Sequence, residues 1–256
     1  MKFNGIDPRT LAPGISIAKE IPPGAPASSL EVIEGAEGDI VAGRTIHQAE
    51  YTVRINVGSR TRQGAWEIRE KIAAWARATD TVTHELIPTH RPTRAYDAIF
   101  KAISDAEFVF GFGVIEVIFA VPRPITHALV EEYEAATQQE GEEGTKLVID
   151  VAGTSYIRPT LQLTAMECQR LELEADGKLL LGLDMAIMED DVITVQTDPP
   201  ALWVTTQEAE MQPAEASIDY TVTDLHQLAK TLQPGLHMLK SQQAKRITAT
   251  WRDEYL

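Results

Sequence analysis

Alternating apolar and polar positions recur along most of this chain, and such alternation is typical of strands with one buried face. Residues 51–57 are the clearest case. The apolar positions there are Tyr51, Val53, Ile55 and Val57, and the positions between them are Thr52, Arg54 and Asn56. The pattern predicts a half-buried strand that stops at Gly58. Residues 15–18 and 30–33 are shorter candidate strands.

Apolar residues change to helical spacing directly after this strand. Between Thr61 and Arg77 they recur at steps of three and four residues, at Ala65, Ile68, Ile72, Trp75 and Ala76. That spacing places them on one side of a helix. We therefore predict a helix that packs across the sheet, with Arg62 and Arg69 on its exposed side.

Residues 107–121 form a long apolar run, EFVFGFGVIEVIFAV, in which both alternating faces are apolar. Length and aromatic content favour a strand over a helix, either as one strand or as a long hairpin arm bent at Gly111 and Gly113. Pro122 and Pro124 end the run. A long arm of this kind can pair with a neighbouring subunit.

An acidic segment, EEYEAATQQEGEEG at residues 131–144, contains few apolar residues. We place a linker there, between a domain at residues 1–130 and a second at 145–256. The second domain contains many short strand candidates and one short helical segment, Thr223–Thr231. Short strands at this spacing argue for a β-sandwich. The predicted fold class is mainly β, with one packed helix in a β-rich N-terminal domain and a C-terminal sandwich.

Composition and charge narrow the classes of partner. The chain has 256 residues, a formal charge of −15 and no basic run, so stable DNA binding is not expected. No apolar run has the roughly 18 to 20 residues that a membrane span requires, and we expect no membrane association. The N-terminus does not resemble a secretory signal, and assembly in the cytoplasm is the expectation. The single cysteine, Cys168, is interpreted as a small core residue.

Several residue groups are candidate sites of chemistry, and none fits a known constellation. The histidines lack the paired spacing of a metal-binding helix, Gly111-Phe112-Gly113 lacks the third glycine of a dinucleotide fingerprint, and Glu189-Asp190-Asp191 lacks a calcium-loop pattern. The histidines are His47, His84, His90, His127, His226 and His237. We therefore predict no catalytic, cofactor-binding or metal site and no enzymatic activity.

Two tryptophans bear on whether the second domain binds sugars, because such domains stack sugar rings on exposed aromatic side chains. Trp203 lies between Leu202 and Val204 in a short apolar run, and we expect it in the core. Trp251 has threonines nearby, and its placement is left open.

The N-terminal half resembles the belt domain of phage distal tail proteins. The features that carry the resemblance follow one another over residues 1–122 in the order found in that family. They are Phe3-Asn4-Gly5-Ile6-Asp7, the glycine-containing segment EVIEGAEGDIVAG at 31–43, the strand from Tyr51 with the helix carrying Trp75, Tyr96 after the turn at Pro92, and the ending Phe119-Ala120-Val121-Pro122. The length and strand content of the second half are similar to the galectin-like β-sandwich of the same family.

This resemblance implies a structural virion protein of the tail tip or baseplate, assembled in the host cytoplasm. Six copies would form a ring through the N-terminal domains. The ring would join the tail tube and tape-measure protein to the tail-tip hub, let DNA pass, and hold receptor-binding or side-fibre proteins through the outer domains.

Two alternatives stay open at this point. One is a carbohydrate-binding adhesion module that recognises host-surface glycans. The other is an envelope-degrading hydrolase, against which the lack of a nucleophile, base or metal constellation counts. In the ring interpretation, Arg54, Arg62 and Arg69 are candidates to pair with acidic groups of a neighbour.

Overall fold

The structure is a computed structural model that describes residues 1–24, 28–32, 39–44, 48–77, 82–197, 200–205, 212–213 and 232–255, with backbone alone for 28–32, 39–44, Pro200 and 212–213. The chain divides into two compact units, an N-terminal unit of residues Met1–His127 and a C-terminal unit of Ala128–Tyr255. Within the described residues, no helix is both long enough and apolar enough to span a membrane.

The N-terminal unit is a β-sheet with one helix packed against it. The sheet order is β1-β6-β7-β8-β5-β2, and β3 and β4 form a separate hairpin. The elements are β1 (Lys2–Phe3), β2 (Ile15–Ile21), β3 (Ser28–Val32), β4 (Asp39–Arg44), β5 (Ala49–Gly58), α1 (Arg62–Ala76), β6 (His84–Ile87), β7 (Arg94–Ile103), β8 (Phe112–Val121) and β9 (Thr126–Ala128), which contains the division between the units.

Strand β5 confirms the alternation seen in the sequence. Its residues Tyr51, Val53, Ile55 and Val57 are buried, and β5 pairs with β2 on one side and with β8 on the other. The same face of β8 adds Ile115, Val117 and Phe119 to the core.

Helix α1 is confirmed within one residue at each end. Thr61 caps its N-terminus, since the Thr61 hydroxyl oxygen accepts a hydrogen bond from the Gly64 N–H at 3.0 Å. All five apolar positions predicted to face the sheet are buried. The buried face of α1 packs on the apolar side of β5 and β8. This packing removes the core residues of both strands from water.

The long apolar run differs from its prediction. Strand β8 begins only at Phe112, because residues 109–112 reverse the chain in a tight turn. Of the two glycines at the predicted bend, Gly111 lies in this hairpin turn and Gly113 lies in β8.

The C-terminal unit is a sandwich of two antiparallel sheets, as predicted. One sheet has the order β10-β19-β12-β15-β16-β17 and the other β11-β18-β13-β14. Their facing sides share one core, to which Leu161 and Ile247 contribute from the first sheet and Leu147 and Leu171 from the second. The strands of these sheets are β10 (Glu132–Thr137), β11 (Thr145–Val151), β12 (Thr160–Ala165), β13 (Cys168–Ala175), β14 (Lys178–Ile187), β15 (Val192–Thr197), β16 (Pro200–Thr205), β17 (Gln212–Pro213), β18 (Gly235–Ser241) and β19 (Ala244–Trp251). A further short strand, β20 (Glu254–Tyr255), belongs to neither sheet.

The acidic segment at 131–144 is in part a strand. Its residues Glu132–Thr137 form β10, which pairs along β19 from Glu132↔Trp251 to Thr137↔Arg246. The division between the units falls before it, between His127 and Ala128. The side chains of β10 are almost all exposed, which is why an edge strand looks like a linker in the sequence.

Trp203 is not in the core where it was expected, and Trp251, whose placement was open, is. In β16 the buried residues are Leu202 and Val204, so Trp203 points to the outer face and is half-buried. Trp251 is buried in the core of the sandwich. A strand with an apolar residue at three successive positions still has two faces, and only one of them meets the core. The helical segment expected at Thr223–Thr231 lies outside the described residues.

Candidate functional site

The most unusual local geometry lies in the turn that leads into β8. Two backbone hydrogen bonds, from the Val109 N–H to Phe112 O at 2.9 Å and from the Phe112 N–H to Val109 O at 3.0 Å, close a two-residue hairpin. Its central residues, Phe110 and Gly111, have φ of 54° and 86°. Positive φ at both positions defines a type I′ turn, whose first central residue is usually Asn, Asp or Gly. A bulky side chain is strained in that position.

The turn is held in place by close packing of its glycines. The Ser59 N–H donates to the Gly111 carbonyl oxygen at 2.9 Å. A Cβ at Gly111 would lie 2.4 Å from the Ser59 carbonyl oxygen, and a Cβ at Gly113 would lie 2.7 Å from the Phe108 ring. The buried Phe108 ring in turn meets the Trp66 ring edge-on, with centroids 5.3 Å apart. These contacts fix the turn on the loop before α1.

The turn nevertheless exposes apolar side chains to solvent. Phe110 is 90% exposed, Val109 and Phe112 are each 65% exposed, and Val114 is 50% exposed. We call these four residues the apolar turn. Single exposed apolar residues are common, whereas an adjoining group of four is a candidate interaction surface.

A groove of about 940 Å³ adjoins the apolar turn. Phe110 and Phe112 line one part of it, and the largely buried Ala12, Val57 and Ile68 line another. Its charged lining residues are Arg60, Glu67 and Lys71. The groove thus combines apolar walls with exposed charges of both signs.

A buried charge network lies elsewhere in the same unit, around the Glu20 carboxylate. Glu20 accepts hydrogen bonds from the Tyr51 hydroxyl at 2.6 Å and from the Thr89 N–H at 3.0 Å, and the Met1 amino group lies 3.7 Å away. Burial raises the pKa of Glu20, but the hydrogen bonds from Thr89 and Tyr51 outweigh it and the pKa lies below its usual value. Burial, together with the bond to Glu20, raises the pKa of Tyr51.

The Glu20 network predicts a loss of stability in acid. A carboxyl group whose pKa is lowered on folding contributes stability above its unfolded pKa of about 4.3, and the contribution disappears as the pH falls through the folded value. In Glu20→Gln the thermal midpoint should fall at pH 7, and the difference from wild type should shrink below about pH 4. Calorimetry across pH checks this, with Glu140→Gln, at an exposed position, as the control. A difference that stayed constant down to pH 3 would contradict the role assigned to the Glu20 charge.

The described histidines are spread through the fold. His127 lies 3.6 Å from Glu85 and 3.7 Å from Asp97, and His237 lies 2.7 Å from Asp176. The His84 ring packs edge-on against Phe3, and His90 is exposed. His47 and His226 lie outside the described residues.

The other candidate groups make hydrogen bonds or packing contacts within the chain. Glu189 and Asp190 both accept hydrogen bonds from the Lys245 ammonium group, at 2.6 and 2.8 Å, and Asp191 accepts one from the Met188 N–H at 2.9 Å. Cys168 is partly buried against the sandwich core, and burial raises the pKa of its thiol. In the described part of the chain, no group of three or more His, Cys, Asp or Glu side chains is placed to hold a metal ion.

The apolar turn was missed as a site in the sequence, although part of a signal was present. Asn-Gly or Asp-Gly between two apolar stretches is a hairpin signal, and at residues 110–111 only its glycine is present. The aromatic residue in place of Asn or Asp concealed the turn inside an apparently continuous strand.

Comparison with known proteins gives a fold but no family. No protein-family model and no curated protein sequence matches the chain. The structure is similar to that of the Dit protein of phage SPP1, with a TM-score of 0.73 and 14% identity over 99% of this chain and 98% of the other. That protein is described as a paradigm of the hub adsorption apparatus of phages that infect Gram-positive bacteria. A chain of the phage P2 baseplate matches with a TM-score of 0.48 at 8% identity over 94% of this chain and 91% of the other, a likeness too distant to carry an argument.

The match to Dit covers both units, so the resemblance to distal tail proteins is confirmed at the level of the fold.

Proposed function

We propose that this chain is a structural protein of a phage tail tip or baseplate, whose N-terminal domain forms a hexameric ring. The observation that carries the proposal is the similarity of the whole chain to the fold of phage SPP1 Dit. In this proposal the ring joins the tail tube and the tape-measure protein to the tail-tip hub. It is a virion component without catalytic activity, and its galectin-like C-terminal domain projects outward to hold receptor-binding or side-fibre proteins.

The surface of the N-terminal unit supports a role in assembly. Its apolar turn is exposed and rigidly held, and a groove adjoins it. Head-to-tail contacts between two such surfaces, repeated around an axis, close into a ring.

The distribution of charge supports the same arrangement. Residues 1–127 carry 14 basic and 15 acidic side chains, whereas residues 128–256 carry 9 and 23. Copies of the nearly neutral N-terminal unit can meet without strong repulsion, while the acidic C-terminal units are better separated at the periphery. A nearly neutral ring also suits a channel through which DNA passes without being retained.

The ring is tested by native mass spectrometry and negative-stain microscopy of the full chain, alone and with tail-tube and hub proteins. The expected result is a sixfold ring that does not shift duplex DNA in a gel at physiological salt. A partner can be required because weak interfaces form only when a template stabilises them. A chain that stayed monomeric with both partners would overturn the proposal.

A carbohydrate-binding module is the second candidate, and the position of Trp203 favours it. Trp203 is half-buried on the outer face of its sheet, in a cross-strand row with Thr194 and Gln162. An aromatic ring beside hydroxyl and amide groups is suited to a sugar. This function would be favoured over the ring if the chain stayed monomeric in that experiment and bound host cell-wall polysaccharide in a separate binding assay.

A further inference from the structure

We propose that the apolar turn of one copy inserts into the groove of a second copy, with Phe110 as the anchor. The inference rests on the proposed ring and names the contact that would close it. Each copy would contribute one turn and receive one, as a head-to-tail ring requires. Because Phe110 and Phe112 also line the groove of their own copy, the entering turn would pack beside the turn of the receiving copy.

The conformation of Phe110 is the first argument. At φ 54° in a type I′ turn, the phenyl group costs stability that Asn or Gly would not cost. At 90% exposure it recovers nothing by packing within its own chain. A strained and exposed aromatic side chain is explained if it becomes buried in an interface, where aromatic anchors supply much of the binding energy.

The rigidity of the turn is the second argument. The contacts of Gly111 with Ser59 and of Gly113 with Phe108 leave the tip little freedom to move. A side chain that is already held in its bound position loses little entropy on association. The turn therefore has the properties of a preorganised anchor.

Charge complementarity identifies the occupant as a second copy. The exposed acids Asp105 and Glu107 precede the apolar turn, and Asp105 lies 3.7 Å from Arg69. The groove carries two exposed cations, Arg60 and Lys71, and one exposed acid, Glu67. When a turn enters the groove of another copy, its acids approach those cations. Oppositely charged rims of this kind set orientation and specificity in an interface.

The Phe110→Asn variant gives two effects of opposite sign. Asparagine fits the turn better, so the thermal midpoint of the unassembled chain should rise by roughly 2 to 4 °C. Association should weaken by at least about 30-fold, since the anchor is lost. A residue with a purely structural role could not produce both results. The control is Leu236→Asn, which removes a side chain with 71% exposure from the C-terminal unit and should leave association unchanged.

Cross-linking shows which surface receives the turn. Val109 and Ser16 are exposed, the first beside the anchor and the second in the groove lining. A mixture of the single variants Val109→Cys and Ser16→Cys should yield a covalent dimer under oxidation, because a disulfide requires close approach of the two residues. A mixture of Val109→Cys with Leu236→Cys should not.

The outcomes separate this inference from the proposed function. If wild type never assembles, both fail. If wild type forms rings and Phe110→Asn forms them equally well, or if the rings yield no Val109–Ser16 cross-link, only the inference fails. If Phe110→Asn keeps the ring but loses a tail-tube or hub protein, the turn binds that protein, and the contact between copies is overturned.

Discussion

Replacing Ile72 by aspartate is expected to destabilise the N-terminal unit strongly. Ile72 is fully buried in α1, in the core that the helix shares with β5 and β8. A carboxylate placed there has no partner and loses its hydration, at a cost of at least about 4 kcal/mol. For a chain of this size the thermal midpoint should fall by roughly 8 °C or more. Differential scanning calorimetry measures the change.

The matched control is Ala74→Asp, two positions along the same helix. Ala74 is exposed, so the same carboxylate stays in water and costs only its weaker helix propensity, about 0.7 kcal/mol. Equal effects of the two substitutions would show that helix propensity, and not burial, determines the loss. The packing of α1 on the sheet would then be wrong.

Elements with a clear period were predictable from the sequence, as α1 and β5 illustrate. In each, one set of positions is apolar and the other polar, so only one orientation buries the apolar set. The residues at 107–121 are apolar on both sets of positions, and the periodic signal there is lost. The turn at Phe110 was therefore hidden, although it is the most exposed aromatic residue among those described.

The exposure of Trp203 and the presence of β10 could not be predicted, for a related reason. Burial of a residue in a short strand depends on which face meets the second sheet, and that is a tertiary property. Strand β10 lies at the edge of its sheet with both faces largely exposed. Its sequence carries no burial signal, because its stability comes from backbone pairing with β19.

The candidate partners of the arginines also depended on tertiary structure. Arg54 and Arg69 were expected to be available to a neighbour, yet Arg54 pairs with Glu116 at 2.6 Å across β5 and β8. Arg69 donates to the Ser104 carbonyl oxygen at 3.2 Å and lies over the Trp66 ring. Partners on adjacent strands or elements are far apart in the sequence, so spacing alone could not identify them.

The sequence also does not show which glycines the fold requires, as one pair illustrates. Gly14 and Gly141 have nearly the same backbone conformation, with φ of 87° and 86°. A Cβ at Gly14 would lie 2.0 Å from the Gly58 carbonyl oxygen, whereas a Cβ at Gly141 would meet nothing within 4 Å. The sequence does not distinguish them, but their surroundings do.

Gly14→Ala should therefore destabilise the chain far more than Gly141→Ala. Both variants place alanine at positive φ, which costs about 1 kcal/mol. At Gly14 the methyl group must also push the backbone away from Gly58, whose N–H donates to the Gly14 carbonyl oxygen at 2.8 Å. Losing that close approach should bring the total loss of stability in Gly14→Ala to at least about 3 kcal/mol. Denaturant unfolding of the two variants measures the difference, and equal losses would mean that conformation alone, without the contact between the two backbones, sets the requirement for glycine at Gly14.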